Sequence, residues 1–150
     1  MLYDRIEPLL AGVSKPARYT GGEVNMVKKE LDGIDVRFAF CFPDTYEVGM
    51  SHLGMKILYH ILNKRENFYC ERVFAPWTDM EAAMRQNGVP LFSLETFSPV
   101  ADFDIVGFTL QYEMSYTNVL NMLDLAGIPM TGSERDAANA PFVVCGGPCA

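Results

Sequence analysis

The sequence predicts an α/β protein with a doubly wound, mostly parallel sheet. Short apolar runs, typical of strands buried on both faces, alternate with segments of helical periodicity along the chain. Glycine and proline separate most of these segments. Because strands that alternate with helices pair in parallel, with helices on both faces, we expect a five-stranded Rossmann-like or flavodoxin-like arrangement.

The chain divides into an N-terminal extension, residues 1–30, and a Rossmann-like domain, residues 31–150. The extension is expected to be peripheral. It begins with a short amphipathic helix, "LYDRIEPLL", followed by a turn, "PARYTGG". The stretch "GGEVNMVKK" is expected to add a short strand or hairpin arm.

Five runs are predicted as the strands of the sheet. "VRFAFCF" (36–42) is almost wholly apolar and is expected at the centre, with "FDIVGFTL" (103–110) beside it. "FYCERVFA" (68–75) is the second strand in sequence, "LFSLE" (91–95) a short third strand at an edge, and "PFVVCGG" (141–147) the fifth.

The segment "SHLGMKILYHILN" predicts the helix that follows the central strand. Its apolar residues share one helical face, which is expected to face the sheet: Leu53, Ile57, Leu58, Ile61 and Leu62. Gly54 lies on the same stripe, where a missing side chain would let the helix approach the sheet.

Two further helices have clear end signals. "TDMEAAMRQNG" carries a T-x-x-E capping box at Thr78 and Glu81 and ends at Gly88. "SYTNVLNMLDLAG", apolar on almost every side, ends at Gly127.

Composition excludes several classes of function. A net charge of -7 and a pI near 4.7 exclude non-specific nucleic-acid binding. No apolar run approaches the roughly 20 residues that a membrane span needs, and no signal peptide is evident. We therefore expect a cytoplasmic protein whose four cysteines are free thiols.

The candidate ligand site follows from the fold. In open α/β sheets, ligands bind beyond the carboxyl ends of the strands, where three loops should converge: 43–52, 111–115 and 145–149. The first two loops each lead into a helix N-terminus, which favours an anion or another polar ligand. The candidate binding residues are Asp44, Tyr46, Glu47, Gly49, Ser51, His52, Gln111, Tyr112, Glu113, Gly146 and Gly147.

The sequence predicts neither a catalytic residue nor a metal site. Cys145 and Cys149 supply only two thiolates, whereas a structural zinc or an iron–sulfur cluster normally uses four ligands. His52 and His60 lie about 12 Å apart along one helix and cannot share a metal. Neither G-x-G-x-x-G nor G-x-x-x-x-G-K-[ST] occurs, which disfavours phosphate binding.

Several longer stretches resemble the N-terminal region of a family of bacterial radical S-adenosylmethionine (SAM) proteins. That region is similar to the cobalamin-binding domains that precede many radical SAM barrels. The resemblance covers about residues 16–150 and rests on "FPDTYEVGMSHLGMKILYHILN", "ERVFAPWTDME", "PLFSLET", "FDIVGFTLQYEMSYTNVLNMLDLAGIP" and "VVCGGPCA".

The resemblance implies an accessory domain trimmed from a longer enzyme, with no catalysis of its own. Its partner is the downstream barrel of the same polypeptide, which carries SAM and a [4Fe-4S] cluster bound by C-x-x-x-C-x-x-C. Cys145 and Cys149 match the first part of that motif, but the third cysteine would fall at position 152.

A departure from the cobalamin-binding pattern concerns the lower ligand of cobalt. Domains that supply this ligand use D-x-H-x-x-G, whereas "MSHLGM" has Met50 for the Asp and Met55 for the Gly. If cobalamin binds, we expect no histidine below cobalt, with that face covered by the loop after Leu110; otherwise the domain is a degenerate lid.

Two other functions remain open. The first is a self-sufficient flavin- or nucleotide-binding protein. The second is a pure interaction module, in which the apolar helix ending at Gly127 packs with Trp77 on the next domain.

Overall fold

The computed structural model describes all residues from Met1 to Ala150. Four parallel strands form one sheet in the order β2-β1-β3-β4, with bounds β1 Val36–Phe42, β2 Phe68–Phe74, β3 Ile105–Thr109 and β4 Phe142–Gly146. The doubly wound α/β fold is confirmed, as is the central position of β1 beside β3.

Six α-helices surround the sheet. Their bounds are α1 Tyr3–Leu10, α2 Tyr46–Ser51, α3 Leu53–Asn63, α4 Thr78–Asn87, α5 Tyr116–Ala126 and α6 Gly132–Ala138. Three single 3-10 turns complete the secondary structure, at Pro16–Tyr19, Val100–Asp102 and Glu113–Ser115. No helix is long and apolar enough to cross a membrane.

The prediction of a fifth strand at 91–95 was wrong. This segment makes only an isolated antiparallel bridge, Phe92 to Pro99, and all five of its residues are buried. Its hydrogen bonds go elsewhere: the Leu94 amide donates to the Arg72 carbonyl, and the Leu91 amide to the Leu125 carbonyl. The segment therefore covers the β2 side of the sheet without extending it.

The segment 21–29 was also predicted wrongly as a strand or hairpin arm. It forms no strand. The backbone of Val27 is instead hydrogen-bonded to two tyrosine hydroxyls. The Val27 amide donates to the Tyr59 hydroxyl at 2.8 Å, and the Tyr69 hydroxyl donates to the Val27 carbonyl at 3.1 Å.

The capping box was assigned to the wrong helix. At α4 the N-cap is Trp77, and no side chain caps the helix. The T-x-x-E pattern forms a true capping box at α6, where Thr131 and Glu134 each bond the other's backbone. Sequence reasoning did not predict α6. Gly88 and Gly127 end α4 and α5 in the left-handed conformation, as expected.

The two faces of the sheet are covered unequally. On the covered face, α1, α4 and α5 pack over β1, β2 and β3, with Ile6, Met84 and Met122 fully buried in a cluster that also contains Val106; β4 adds only the half-buried Val143. On the other face, α2 and α3 pack over β1 and β2, in a smaller cluster of seven buried residues.

Chain topology explains this asymmetry. Parallel crossovers are right-handed, so the β1-to-β2 connection, which runs opposite to the later ones, puts α3 on its own face. No crossover helix covers β3 and β4 on that face. The residues of the two strands on that face, called the open half below, alternate along each strand: Gly107, Thr109, Phe142, Val144 and Gly146. Those of β4 are exposed, whereas Gly107 is buried.

Helix α3 packs on the sheet through a side other than the one predicted. Met55 and Tyr59 are its buried residues. Four of the five predicted contact residues are instead exposed, Leu53 by 68%. These four form the apolar stripe: Leu53, Ile57, Leu58 and Ile61.

Candidate functional site

A groove lies between α3 and the open half, where β1 and β3 end. Its volume is about 410 Å³ and it opens to solvent. It is lined by Phe38, Phe40, His52, Gly54, Leu58, Gly107, Phe108, Thr109, Gln111, Val144, Cys145, Gly146 and Gly147. The groove thus occupies the edge at which parallel α/β sheets bind ligands.

The floor of the groove is apolar and depends on glycine. Gly107 lies beneath the Phe38 ring, and a Cβ there would overlap that ring. Gly146, two strands from β1, has no neighbour within 4 Å of the position that a Cβ would take. The floor is therefore apolar, with the Phe38 ring over Gly107 and open space above Gly146.

His52 is fixed at the rim by a cap. Its Nδ1 accepts the Met55 amide hydrogen at 3.1 Å and so caps α3, while its ring packs on Phe42 with 5.3 Å between centroids. A Cβ on Gly54 would lie 2.8 Å from the imidazole, so glycine leaves room for this ring. Because Nδ1 is an acceptor, neutral His52 carries its proton on Nε2 and offers the groove a donor.

Gln111 brings a side-chain amide to the groove. Its Nε2 donates to the Thr109 hydroxyl oxygen at 2.5 Å, and its Oε1 accepts no hydrogen bond from the chain. Thr109 is the last residue of β3, on the open half, so the amide is held next to the floor.

The Gly-Gly-Pro turn after β4 is held against the end of β3. Gly147 has a φ of 124°, and a Cβ there would lie 2.5 Å from the Leu110 carbonyl oxygen. The Cys149 amide donates to that carbonyl at 3.3 Å, and the Tyr116 hydroxyl donates to the Cys149 carbonyl at 2.7 Å. The turn thus forms a rigid wall of the groove.

Only some of the predicted site residues meet in the groove. His52, Gln111, Gly146 and Gly147 line it. The others lie outside it: Asp44, Tyr46, Glu47, Gly49, Ser51, Tyr112 and Glu113.

Most residues of α2 have structural contacts. The Tyr46 ring packs edge-on against Phe74, and buried Gly49 lies against the same phenylalanine. Glu47 pairs with Lys15 at 3.2 Å and Arg18 at 3.0 Å, interactions that lower the pKa of its carboxyl against the opposing effect of burial. The Ser51 hydroxyl donates to the Glu47 carbonyl.

Asp44 lies in a separate polar pocket of about 200 Å³ that also contains Glu81 and Asn118. Its carboxylate accepts the Thr45 amide at 2.6 Å and the Tyr112 hydroxyl at 3.1 Å, and this negative charge raises the pKa of Tyr112. A carboxylate in this loop disfavours a phosphate there, which weakens the flavin or nucleotide interpretation.

The two cysteines near the end of the chain do not form part of a metal cluster. No three His, Cys, Asp or Glu side chains are grouped so as to hold a metal ion. Cys145 is largely exposed, yet partial burial of its thiol raises its pKa and keeps it protonated at neutral pH.

Sequence reasoning missed the apolar part of the groove. Phe38, Phe40 and Leu58 had been assigned to strand and helix packing, and Val144 to a buried strand. The available signal was Gly107, because a glycine inside a strand often marks close approach of another group.

Comparison with known proteins gives one match. The family model described as "Radical SAM proteins, N-terminal" matches residues 54–150, which include all of α3 except Leu53, the whole open half and the final turn. No curated protein and no solved structure matches the chain. Since the family model covers well over half of the sequence, the chain belongs to the N-terminal domain family of radical SAM proteins.

Proposed function

We propose that this chain is an accessory domain that acts on a downstream radical SAM domain of the same polypeptide, with the groove and the apolar stripe as its working surface. The observation that carries the proposal is the open half. A parallel sheet normally has both faces covered, and here no helix covers β4 on one face, where Phe142, Val144 and Gly146 are exposed.

The apolar stripe supports contact with another domain. Leu53, Ile57 and Ile61 lie on α3, and on the sheet Phe142 is 74% exposed. Together with Leu58 and Val144, which line the groove, they make an apolar surface. All of its residues except Leu53 lie within the range that the family model matches. Surfaces of this kind mark interaction sites, and the radical SAM domain is the partner that family membership implies.

The groove residues fit cobalamin bound without a histidine ligand. His52 uses Nδ1 to cap α3 and presents an N–H, so it offers no lone pair for cobalt. The apolar floor of the groove, with Phe38 and Val144, suits one face of a planar macrocycle, and the open groove would cover that face without enclosing it. When bound, the corrin would supply a redox-active cobalt centre beside the SAM and [4Fe-4S] chemistry of the barrel.

The test is to mix the purified protein with hydroxocobalamin and follow the visible spectrum through gel filtration. Co-elution of the corrin absorbance is expected. Electron paramagnetic resonance of the Co(II) form should show no nitrogen splitting from a protein imidazole, and His52→Asn should give the same spectrum. A protein-derived nitrogen signal lost in His52→Asn would contradict the ligand-free arrangement.

Complete separation of protein and corrin would leave the second form of the proposal, a degenerate lid. The continuity of the groove with the apolar stripe favours that form, because the barrel itself would then cover both. In the two-domain polypeptide, Ile57→Asp should expose the barrel to limited proteolysis. Equal protection in the wild type and Ile57→Asp would argue against the docking surface.

A further inference from the structure

Helix α3 exposes a line of basic side chains beside its apolar stripe. This line, called the basic row below, has three exposed members: Lys56, His60 and Lys64. They are spaced by four, and each lies three positions after a residue of the apolar stripe. Because residues three and four apart are neighbours on a helix, the row and the stripe run side by side. Leu58 borders the groove, so the basic row flanks the stripe on the side away from the groove.

The two lysines of the basic row have no partner within the chain. Neither ammonium group forms an ion pair, and α3 contains no acidic residue. Every other lysine and arginine, apart from Lys28 and Arg65, bonds a carboxylate or a carbonyl oxygen. In a chain whose net charge is -7, the unpaired cations are therefore concentrated on α3 and directly after it.

The stability of α3 does not account for the whole row. A cation in the last turn of a helix interacts favourably with the helix macrodipole, which suits Lys64 at the C-cap. Lys56 lies in the first turn, where the macrodipole disfavours a positive charge. Lys56 therefore indicates an interaction outside the domain.

Lysines beside an apolar stripe fit a protein partner that carries carboxylates beside an apolar patch. The apolar surfaces would meet, the lysine stems would extend over their border, and the ammonium groups would pair at the rim. An anionic membrane fits less well, because binding to one takes a cluster of roughly four to eight lysines or arginines. The net charge of -7 would also oppose such binding.

We propose that the basic row pairs with Asp and Glu side chains of the downstream radical SAM domain, which flank the apolar patch that covers the apolar stripe. The proposal rests on the proposed function, since it specifies the chemistry of the surface that docks on α3. Four helical residues rise about 6 Å, so the partner's carboxylates are expected at about that spacing. Rim charges act mainly on the rate and orientation of docking, so the row would set the direction in which the domain approaches.

The experiment measures limited proteolysis of the two-domain polypeptide at about 0.05 M and about 0.5 M salt. When opening is fast relative to cleavage, the cleavage rate follows the undocked population. Lys56→Gln and Lys64→Gln should each raise this rate about two- to fivefold at low salt, and their combination about tenfold. At high salt the wild type should approach the rate of the double variant, because screening weakens exposed ion pairs.

Two controls separate local pairing from net charge. Lys56→Arg keeps the cation and should be cleaved at the wild-type rate. Gln86→Glu, at an exposed position of α4 on the covered face, lowers the net charge by the same amount as Lys56→Gln. It should nevertheless be cleaved at the wild-type rate. All these side chains are exposed, so urea denaturation should give similar stabilities for every variant.

The outcomes distinguish the two proposals. If Ile57→Asp is cleaved rapidly and the row variants at the wild-type rate, the pairing is overturned while the docking surface stands. If Ile57→Asp is cleaved like the wild type, the docking surface fails and the pairing fails with it. Equal acceleration by Gln86→Glu and Lys56→Gln would overturn the pairing in favour of a long-range effect of net charge. Binding to phosphatidylserine vesicles that the double variant loses would assign the row to a membrane and overturn the pairing as well.

Discussion

Both faces of the sheet carry apolar residues, but helices cover the two faces to different extents. On the covered face, three helices bury aliphatic and methionine side chains over β1, β2 and β3. On the other face, α2 and α3 cover β1 and β2, and α3 leaves apolar residues of its own exposed. The comparison indicates that stability resides in the covered face, and that the open half is shaped for a partner or ligand.

The largest effect is expected for a buried charge on the covered face. Glu71, fully buried, accepts Arg37 at 2.7 Å, the Ser93 hydroxyl at 2.7 Å and the Thr96 hydroxyl at 2.6 Å. Glu71→Ala leaves Arg37 without its carboxylate, so the free energy of unfolding should fall by about 3–5 kcal/mol. Urea denaturation measures the loss. A fall in the free energy of unfolding below about 1 kcal/mol would mean that the covered face tolerates substitution as well as the open half does.

A core truncation should come next. Met122 on α5 is fully buried, and Met122→Ala should lower the free energy of unfolding by about 3 kcal/mol through lost burial and a cavity. Leu120→Ala on the same helix is the matched control, because Leu120 is half exposed and should cost less than about 0.5 kcal/mol. Similar losses for the two variants would contradict the packing of α5.

The third effect depends on pH. Burial raises the pKa of Glu95 to about 7, although its partner Arg72, 2.7 Å away, opposes the shift. The folded state therefore holds this proton more tightly than the unfolded chain does, and stability falls as pH rises from the unfolded pKa near 4.5 to about 7.

Glu95→Gln removes the titrating group while keeping one of the two oxygen acceptors for Arg72. The wild type should lose stability relative to Glu95→Gln between pH 5 and pH 7.5, as measured by urea denaturation at each pH. A difference that stays constant or reverses across this range would show that the ion pair, and not burial, dominates.

The smallest effect on stability is expected on the open side. Ile57 is half exposed on the apolar stripe, so Ile57→Ser should change the free energy of unfolding by less than about 0.5 kcal/mol. It should nevertheless weaken association with the radical SAM domain, which titration calorimetry of the separated domains would detect. A large fall in the free energy of unfolding would instead show that the apolar stripe belongs to the hydrophobic core.

The covered face was largely predictable from the sequence, because buried strands and capped helix ends leave local signals. Apolar runs identified β1 and β3, and Gly88 and Gly127 marked the ends of α4 and α5. The two strand predictions that failed, at 21–29 and 91–95, concern segments whose hydrogen bonds go to side chains and isolated carbonyls.

The candidate site was predicted less well for a physical reason. Helix α3 is apolar on two sides, and periodicity alone cannot say which side meets the sheet and which faces outward. The carboxyl-end rule identified His52 and Gln111 by their position after strands. Their bonds to the Met55 amide and the Thr109 hydroxyl, which hold the two side chains at the groove, are revealed only by the structure.

Helix α6 has a consequence for the dynamics of the molecule. It contains no buried residue and is held by its capping box and by Arg135, which donates to the Pro129 and Met130 carbonyls. Its amides should exchange with deuterium faster than those of α5, since local opening exposes little apolar surface. Because α6 leads directly into β4, such opening would also loosen the edge strand of the sheet.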